Sequence, residues 1–203
     1  MAPPEARVRG GSDEELLKRL RAGGERGVEE LVSRYAGMVY RLALRLTGSP
    51  EDAEEVTWEV MQIVWRKISG FRGDSKLSSW IYRIAANAAY GKLRARSVLT
   101  LPLEEDFYDF HESQRAAPRD WSAHCEDPAV QAELRAVIER AIGELPMEYR
   151  TAVVLHDIEG LPNAEVADIL DLSVPALKSR VHRARLALRG RLSRYFEQRR
   201  ERR

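Results

Sequence analysis

The sequence predicts an all-α protein of two small helical domains joined by a flexible acidic linker. Three observations carry that prediction. Apolar residues recur at helical spacing in almost every segment, and no segment alternates like a strand. Helix start signals recur along the chain, with a capping Ser or Asp followed closely by Pro or acids, at Ser12, Ser49, Asp127 and Ser173. Between residues 99 and 127 the period is lost and acids gather, over a stretch longer than compact domains normally tolerate.

Residues 1–11, rich in Pro, Gly and Arg, are expected to be disordered. Ser12 and Glu15 form a capping-box pattern that opens a short helix with Leu16, Leu17 and Leu20 inward. Gly23 and Gly24 end it. A longer helix follows, with Val28, Leu31, Val32, Tyr35, Val39, Leu42, Ala43 and Leu46 on its apolar stripe and Gly48 at its close. Ser49, Pro50, Glu51 and Asp52 start a third helix. The serine caps, the missing proline N–H costs nothing in the first turn, and the acids suit the helix dipole. That helix carries Val56, Val60, Ile63, Val64 and Ile68 and ends near Gly70. A loop over 71–75 precedes a helix expected over 76–96, with Leu77, Trp80, Ile81, Ile84, Ala85 and Ala88 inward.

Beside that last stripe, Arg83, Asn87, Tyr90 and Arg94 are spaced i, i+4, i+7 and i+11, which puts them on one line. Such a line suits single-stranded nucleic acid. Cations track phosphates, a ring offers a stacking platform, and an amide reads a base edge. A solvated face with one snorkelling tyrosine explains the four residues equally well.

The second domain opens at Asp127 and Pro128, with Val130, Leu134, Val137, Ile138, Ala141 and Ile142 as its first stripe. Leu145 and Pro146 break the chain and start another helix, with Ala152, Val153, Leu155 and Ile158 inward and Gly160 at its end. Residues 164–170 read as a short helix and 171–173 as a tight turn. Ser173 then caps a helix with Pro175 in its first turn and Val174, Leu177 and Val181 inward. Lys178, Arg180, Arg183 and Arg185 lie mostly off that stripe. Helix, turn and basic helix make a helix-turn-helix, whose second helix enters the DNA major groove. The plain alternative is an αα-hairpin with a solvated charged face.

The net charge of +1 conceals a segregation. From residue 173 onward eleven Lys/Arg face two acids, a balance of +9, whereas residues 99–128 hold eight acids against two arginines, a balance of −6. The basic end suits a polyanion partner. No apolar run approaches the ~18 residues of a membrane span, and the N-terminus lacks a signal-peptide core. One cysteine, Cys125, makes no internal disulfide, so a reducing cytoplasm is expected. An enzyme reading is poor, because there is no Gly-rich phosphate loop, and no cofactor is expected. His156 and His182 lie on helices. His111, His124 and Cys125 offer a metal or redox site, weakened by the lack of a paired thiol.

Longer strings carry a resemblance. In the first half they are residues 35–48 (YAGMVYRLALRLTG), 52–55 (DAEE), 71–75 (FRGDS) and 80–87 (WIYRIAAN). In the second they are Leu145 with Pro146, Tyr149 with Arg150, 155–161 (LHDIEGL), 165–167 (EVA) and 177–185 (LKSRVHRAR). The chain resembles bacterial sigma factors of the extracytoplasmic-function (ECF) type, minimal relatives of sigma-70. The resemblance divides it into a disordered 1–11, region 2 over 12–98, a linker over 99–127, region 4 over 128–196 and a basic tail over 197–203.

The resemblance implies an alternative sigma factor that binds core RNA polymerase and directs initiation. Asp52, Glu55, Trp58, Glu59, Gln62 and Trp65 would dock on the polymerase clamp helices. Phe71, Arg72, Asp74 and Ser75, with Arg83, Asn87, Tyr90 and Arg94, would take the opened −10 strand. Holding a base outside the stack offsets a few kcal/mol of unstacking. Ser173, Pro175, Ala176, Lys178, Ser179, Arg180, Arg183 and Arg185 would read duplex DNA at −35. The acidic linker would thread the polymerase cleft, and an anti-sigma factor is the implied regulator.

The chain departs from the family at several places. Trp58 stands where glutamine is usual, as an aromatic anchor or as a core residue at a packing seam. Pro162 and Asn163 replace a serine-aromatic pair. Asp171 replaces the turn glycine, and Pro175 with Ala176 replaces glycine-threonine. The competing function is a helix-turn-helix regulator acting without core polymerase, which would leave the first domain without a role.

Overall fold

The computed structural model describes residues 12–97 and 128–201. The expected N-terminal arm, the acidic linker, His111, His124 and Cys125 lie outside the described residues. All regular structure among the described residues is helical, and the chain divides into two compact units, Met1–Lys92 and Leu93–Arg203.

In the first unit, α1 (Asp13–Arg21) starts where Ser12 accepts a hydrogen bond from the Glu15 N–H at 3.4 Å. It packs on α2 (Glu25–Thr47) at Gly27, where a Cβ would stand 3.0 Å from the backbone of Arg19 and Leu20. Gly48 ends α2 in the left-handed conformation, at φ 71°. In α3 (Pro50–Lys67), Ser49 accepts from the Asp52 N–H at 3.2 Å, as the start signal requires. A 3-10 turn (Ile68–Gly70) and a loop lead to α4 (Leu77–Ser97). The α2–α3 pair forms the body of the unit, with Leu31, Val39, Leu42, Val56, Val60 and Val64 closed to solvent. Val32, expected inward, is 40% exposed, because the neighbouring helices cover only part of the wide α2 stripe.

Tyr35 ties α2 to α1, donating its hydroxyl hydrogen bond to Asp13 Oδ1 at 2.9 Å. Burial, then this bond and the Asp13 charge, raise the Tyr35 pKa, while Arg34 opposes them. In the unfolded chain the tyrosine ionises near its ordinary value of about 10. Its contribution is therefore complete below that pH and is lost as pH rises further. In alkaline urea titrations above pH 10, stability should fall with pH, and Tyr35→Phe should remove that part of the slope, at most about 1.4 kcal/mol per pH unit.

The second unit contains α5 (Pro128–Gly143), α6 (Met147–Val153), a π-helical turn (Val154–Ile158), α7 (Asn163–Ile169) and α8 (Val174–Glu201). Its core joins Ile142, Leu145, Leu155, Val166, Leu177 and Val181. The π turn was not expected. It leaves Ile158 exposed, because a wider turn breaks the 3.6-residue period that had placed that residue inward. Val174 is exposed too, since it lies in the first turn of α8, before the helix meets the core. The helix runs through Glu201, and no proline lies beyond Pro175 to stop it. Arg191 fastens its later half by donating to Ala141 O at 2.9 Å, and Tyr195 donates to Glu133.

Candidate nucleic-acid and polymerase interfaces

Three surfaces collect the residues singled out from sequence. The first is the outer side of α3. Trp58 is 68% exposed, which rules out the packing seam and leaves an aromatic side chain in solvent beside exposed Glu55 and Glu59. Gln62 accepts from Arg66 at 2.6 Å, and Trp65 is half-buried. Asp52, expected on this surface, is instead buried, 3.9 Å from the Lys92 ammonium of α4. Its place in the first turn turns its carboxylate toward α4. Lys92 also bridges to Glu55, so one lysine holds the two helices together.

The second surface is the 71–76 loop with α4. Phe71, expected to face DNA, is buried and packs on Trp80, with ring centroids 5.1 Å apart and planes tilted by 42°. An aromatic ring at a loop root is more stable against the helix than in water, so Phe71 anchors the loop. Arg21, missed in the sequence, donates to Phe71 O at 2.6 Å and fixes the same root. Arg72, Asp74 and Ser75 are exposed beyond it, around Gly73 at φ 83°. Along α4, Asn87 and Arg94 are exposed, and Arg83 and Tyr90 are half-buried.

The third surface is the helix-turn-helix. Proline precedes α7, so no side chain caps it. In the turn, Asp171 takes φ 54°, the only positive value at a non-glycine among the described residues. Asp tolerates the left-handed region better than most residues, which is how it stands in a glycine position. The Leu172 N–H reaches back to Ala167 O at 2.8 Å, and Ser173 accepts from the Ala176 N–H at 3.3 Å.

On α8, Leu177, Val181 and Ala184 are buried at i, i+4 and i+7. Pro175, Ala176, Lys178, Ser179, His182 and Arg183 are exposed around them. Arg180 and Arg185 are both engaged within the unit. Arg180 lies 3.8 Å from Glu148, and Arg185 makes a two-pronged pair with Asp157. The hydrogen bond to Asp157 raises the Arg185 pKa. His156 is structural, its Nδ1 3.0 Å from Leu161 O. Among the described residues no group of His, Cys, Asp and Glu is placed to hold a metal ion, and no helix is long and apolar enough to cross a membrane.

Each unit matches a family model. Residues 31–98 match sigma-70 region 2, and residues 135–188 match sigma-70 region 4. The RNA polymerase sigma-H factor of Pseudomonas aeruginosa is 31% identical over 180 residues, covering 87% of this chain and 91% of that protein. The chain belongs to the sigma-70 family. The ECF RNA polymerase sigma-E factor of Escherichia coli is also 31% identical, over 87% of this chain and 92% of that one. The ECF sigma factor SigW of Bacillus subtilis is 29% identical, over 87% and 94%.

Among solved structures, CnrH in complex with the cytosolic domain of CnrY superposes with a TM-score of 0.63 at 23% identity, over 89% of this chain and 97% of that one. The sigma factor RpoE of Bartonella quintana, in complex with the anti-sigma factor NepR, gives 0.60 at 20%, over 81% and 96%. These two likenesses establish the shared fold. The chain is an alternative sigma factor of the ECF type that directs transcription initiation with core RNA polymerase. A regulator acting without polymerase is not favoured, because region 2 has its own place in this function.

Proposed function

We propose that the three surfaces divide the work of initiation. The outer side of α3 docks on core polymerase, with Trp58 as its aromatic anchor among Glu55, Glu59, Gln62 and Trp65. Aromatic side chains desolvated at an interface carry a large share of binding energy, which suits an indole left in solvent. The line Arg83, Asn87, Tyr90 and Arg94, with Arg72, Asp74 and Ser75 of the loop, holds the opened −10 strand. Exposed Lys178, Ser179 and Arg183 of α8 read the −35 duplex, phosphates setting position and base edges setting sequence.

The observation that carries this reading is the pairing, in one chain, of a cation-and-aromatic line on α4 with a capped basic helix on a helix-turn-helix. The protein supplies no bond-making chemistry of its own and acts in the cytoplasm, where polymerase and chromosome are. An anti-sigma factor holds it in reserve, as NepR is bound to the Bartonella quintana protein.

Run-off transcription tests the reading. Core polymerase with this chain should yield discrete transcripts from promoters mapped by their dependence on it, and core alone should yield none. Tight binding of the isolated chain to the same duplex, with no initiation on adding core, would overturn it.

A further inference from the structure

We propose that Asp157 and Arg185 form a positioning pair: the π-helical turn presents a carboxylate that locks α8 in place, and Arg185 aligns the reading face instead of touching DNA. This rests on the assignment of α8 to the −35 element. Arg185 donates from Nε to Asp157 Oδ2 at 2.8 Å and from Nη2 to Oδ1 at 2.5 Å. Two parallel bonds to one carboxylate fix direction as well as distance. A guanidinium in that fork reaches a phosphate only by breaking both.

The far side of the pair is itself held. The Glu159 N–H closes the π turn on Val154 O at 2.9 Å, and the Leu161 N–H bonds Leu155 O at 3.1 Å. Val154 and Leu155 are closed to solvent, so the root of Asp157 is set by core packing while its carboxylate stands toward the surface. Single π turns inside helices often mark functional positions. Here the wider turn takes Asp157 and Ile158 out of the core-facing period.

On α8 the pair completes a set of restraints. The Ser173 cap fixes the first turn, Leu177, Val181 and Ala184 fix one side, and Arg185 follows Ala184 directly. Lys178, Ser179, His182 and Arg183 lie exposed between the cap and the fork. A helix fixed at both ends of its reading stretch neither rolls nor slides, and bidentate base recognition depends on that geometry.

The test uses holoenzyme made from the full chain and core polymerase. Its affinity for a mapped promoter fragment, with the −35 element intact or scrambled, is measured across a salt series. Asp157→Ala and Arg185→Ala should each weaken the −35-dependent part of binding about fivefold, the upper end for an exposed pair with good geometry. The salt slope should not change, the double variant should be no worse than either single one, and the swap Asp157→Arg with Arg185→Asp should restore most of the loss. Asp157→Asn, which keeps the shape, guards against misfolding and should behave as Asp157→Ala does.

The proposal is overturned if Asp157→Ala leaves binding intact while Arg185→Ala weakens it and lowers the salt slope by about 0.9, the value of one lost phosphate contact. Lys178→Ala and Arg183→Ala distinguish failure of the pair from failure of the α8 assignment. If neither affects −35-dependent binding, the assignment of α8 fails and the proposal falls with it. If both do and Asp157→Ala does not, only the positioning pair fails.

Discussion

Leu177→Ala should cost the helix-turn-helix about 3 kcal/mol, within the 2–5 kcal/mol usual for a fully buried leucine truncated to alanine. Leu177 is completely closed to solvent and is the first residue of α8 to reach the core, because Val174, one turn earlier, is exposed. The N-terminal part of α8 is therefore held by this side chain, Val181 and the Ser173 cap. Truncation leaves a cavity that α8, tied further along by Arg185 and Arg191, closes only in part. Urea unfolding followed by circular dichroism should show an earlier midpoint with the slope kept, the sign of lost stability in an unchanged fold. Lys178→Ala, one residue on and exposed, should leave the melt within about 0.5 kcal/mol while still weakening promoter binding. A Leu177→Ala melt equal to the parent would show that the helix is seated elsewhere.

The helix starts were legible in the sequence because capping is local chemistry. Ser12, Ser49 and Ser173 each accept the backbone hydrogen bond that their positions announce. Leu177 and Val181 of the α8 stripe were legible for the same reason, each being set within a turn or two of chain, whereas Val174 was expected inward and is exposed, and Ala184 was not singled out. What escaped depends on partners far away in sequence. Asp157 and Arg185 are 28 residues apart, and Lys92 meets Glu55 across 37. Phe71 sits in a loop whose composition suggests exposure, and only the position of Trp80 makes burial the better state. Asp52 carries both a helix-dipole role and an interhelical one, and spacing reveals only the first. Trp58 shows the converse. Its departure from the family pattern left it either an anchor or a packing-seam residue, and exposure decided for the surface.

Tyr90→Ala and Asn87→Ala should each lower promoter opening by about ten- to a hundredfold, the equivalent of 1–3 kcal/mol for a lost base stack or base-edge contact. Two features make the effect readable as loss of strand capture. Neither residue is in the core, Asn87 being exposed and Tyr90 half-buried, so the helix should survive. Neither lies on α3, so affinity for core polymerase should be unchanged. Permanganate footprinting of the opened region, beside a core-binding titration, separates the two quantities. Tyr90→Phe keeps the ring and should retain most activity if stacking is what matters. A Tyr90→Phe loss as large as that of Tyr90→Ala would instead give the role to the hydroxyl. Lys92→Ala supplies the contrast, because that lysine reaches both Asp52 and Glu55 on α3. It should disturb the seating of α4 against α3, and so lower core affinity and opening together. A loss of core binding from Asn87→Ala would place that residue on the polymerase surface and leave the strand without its proposed amide.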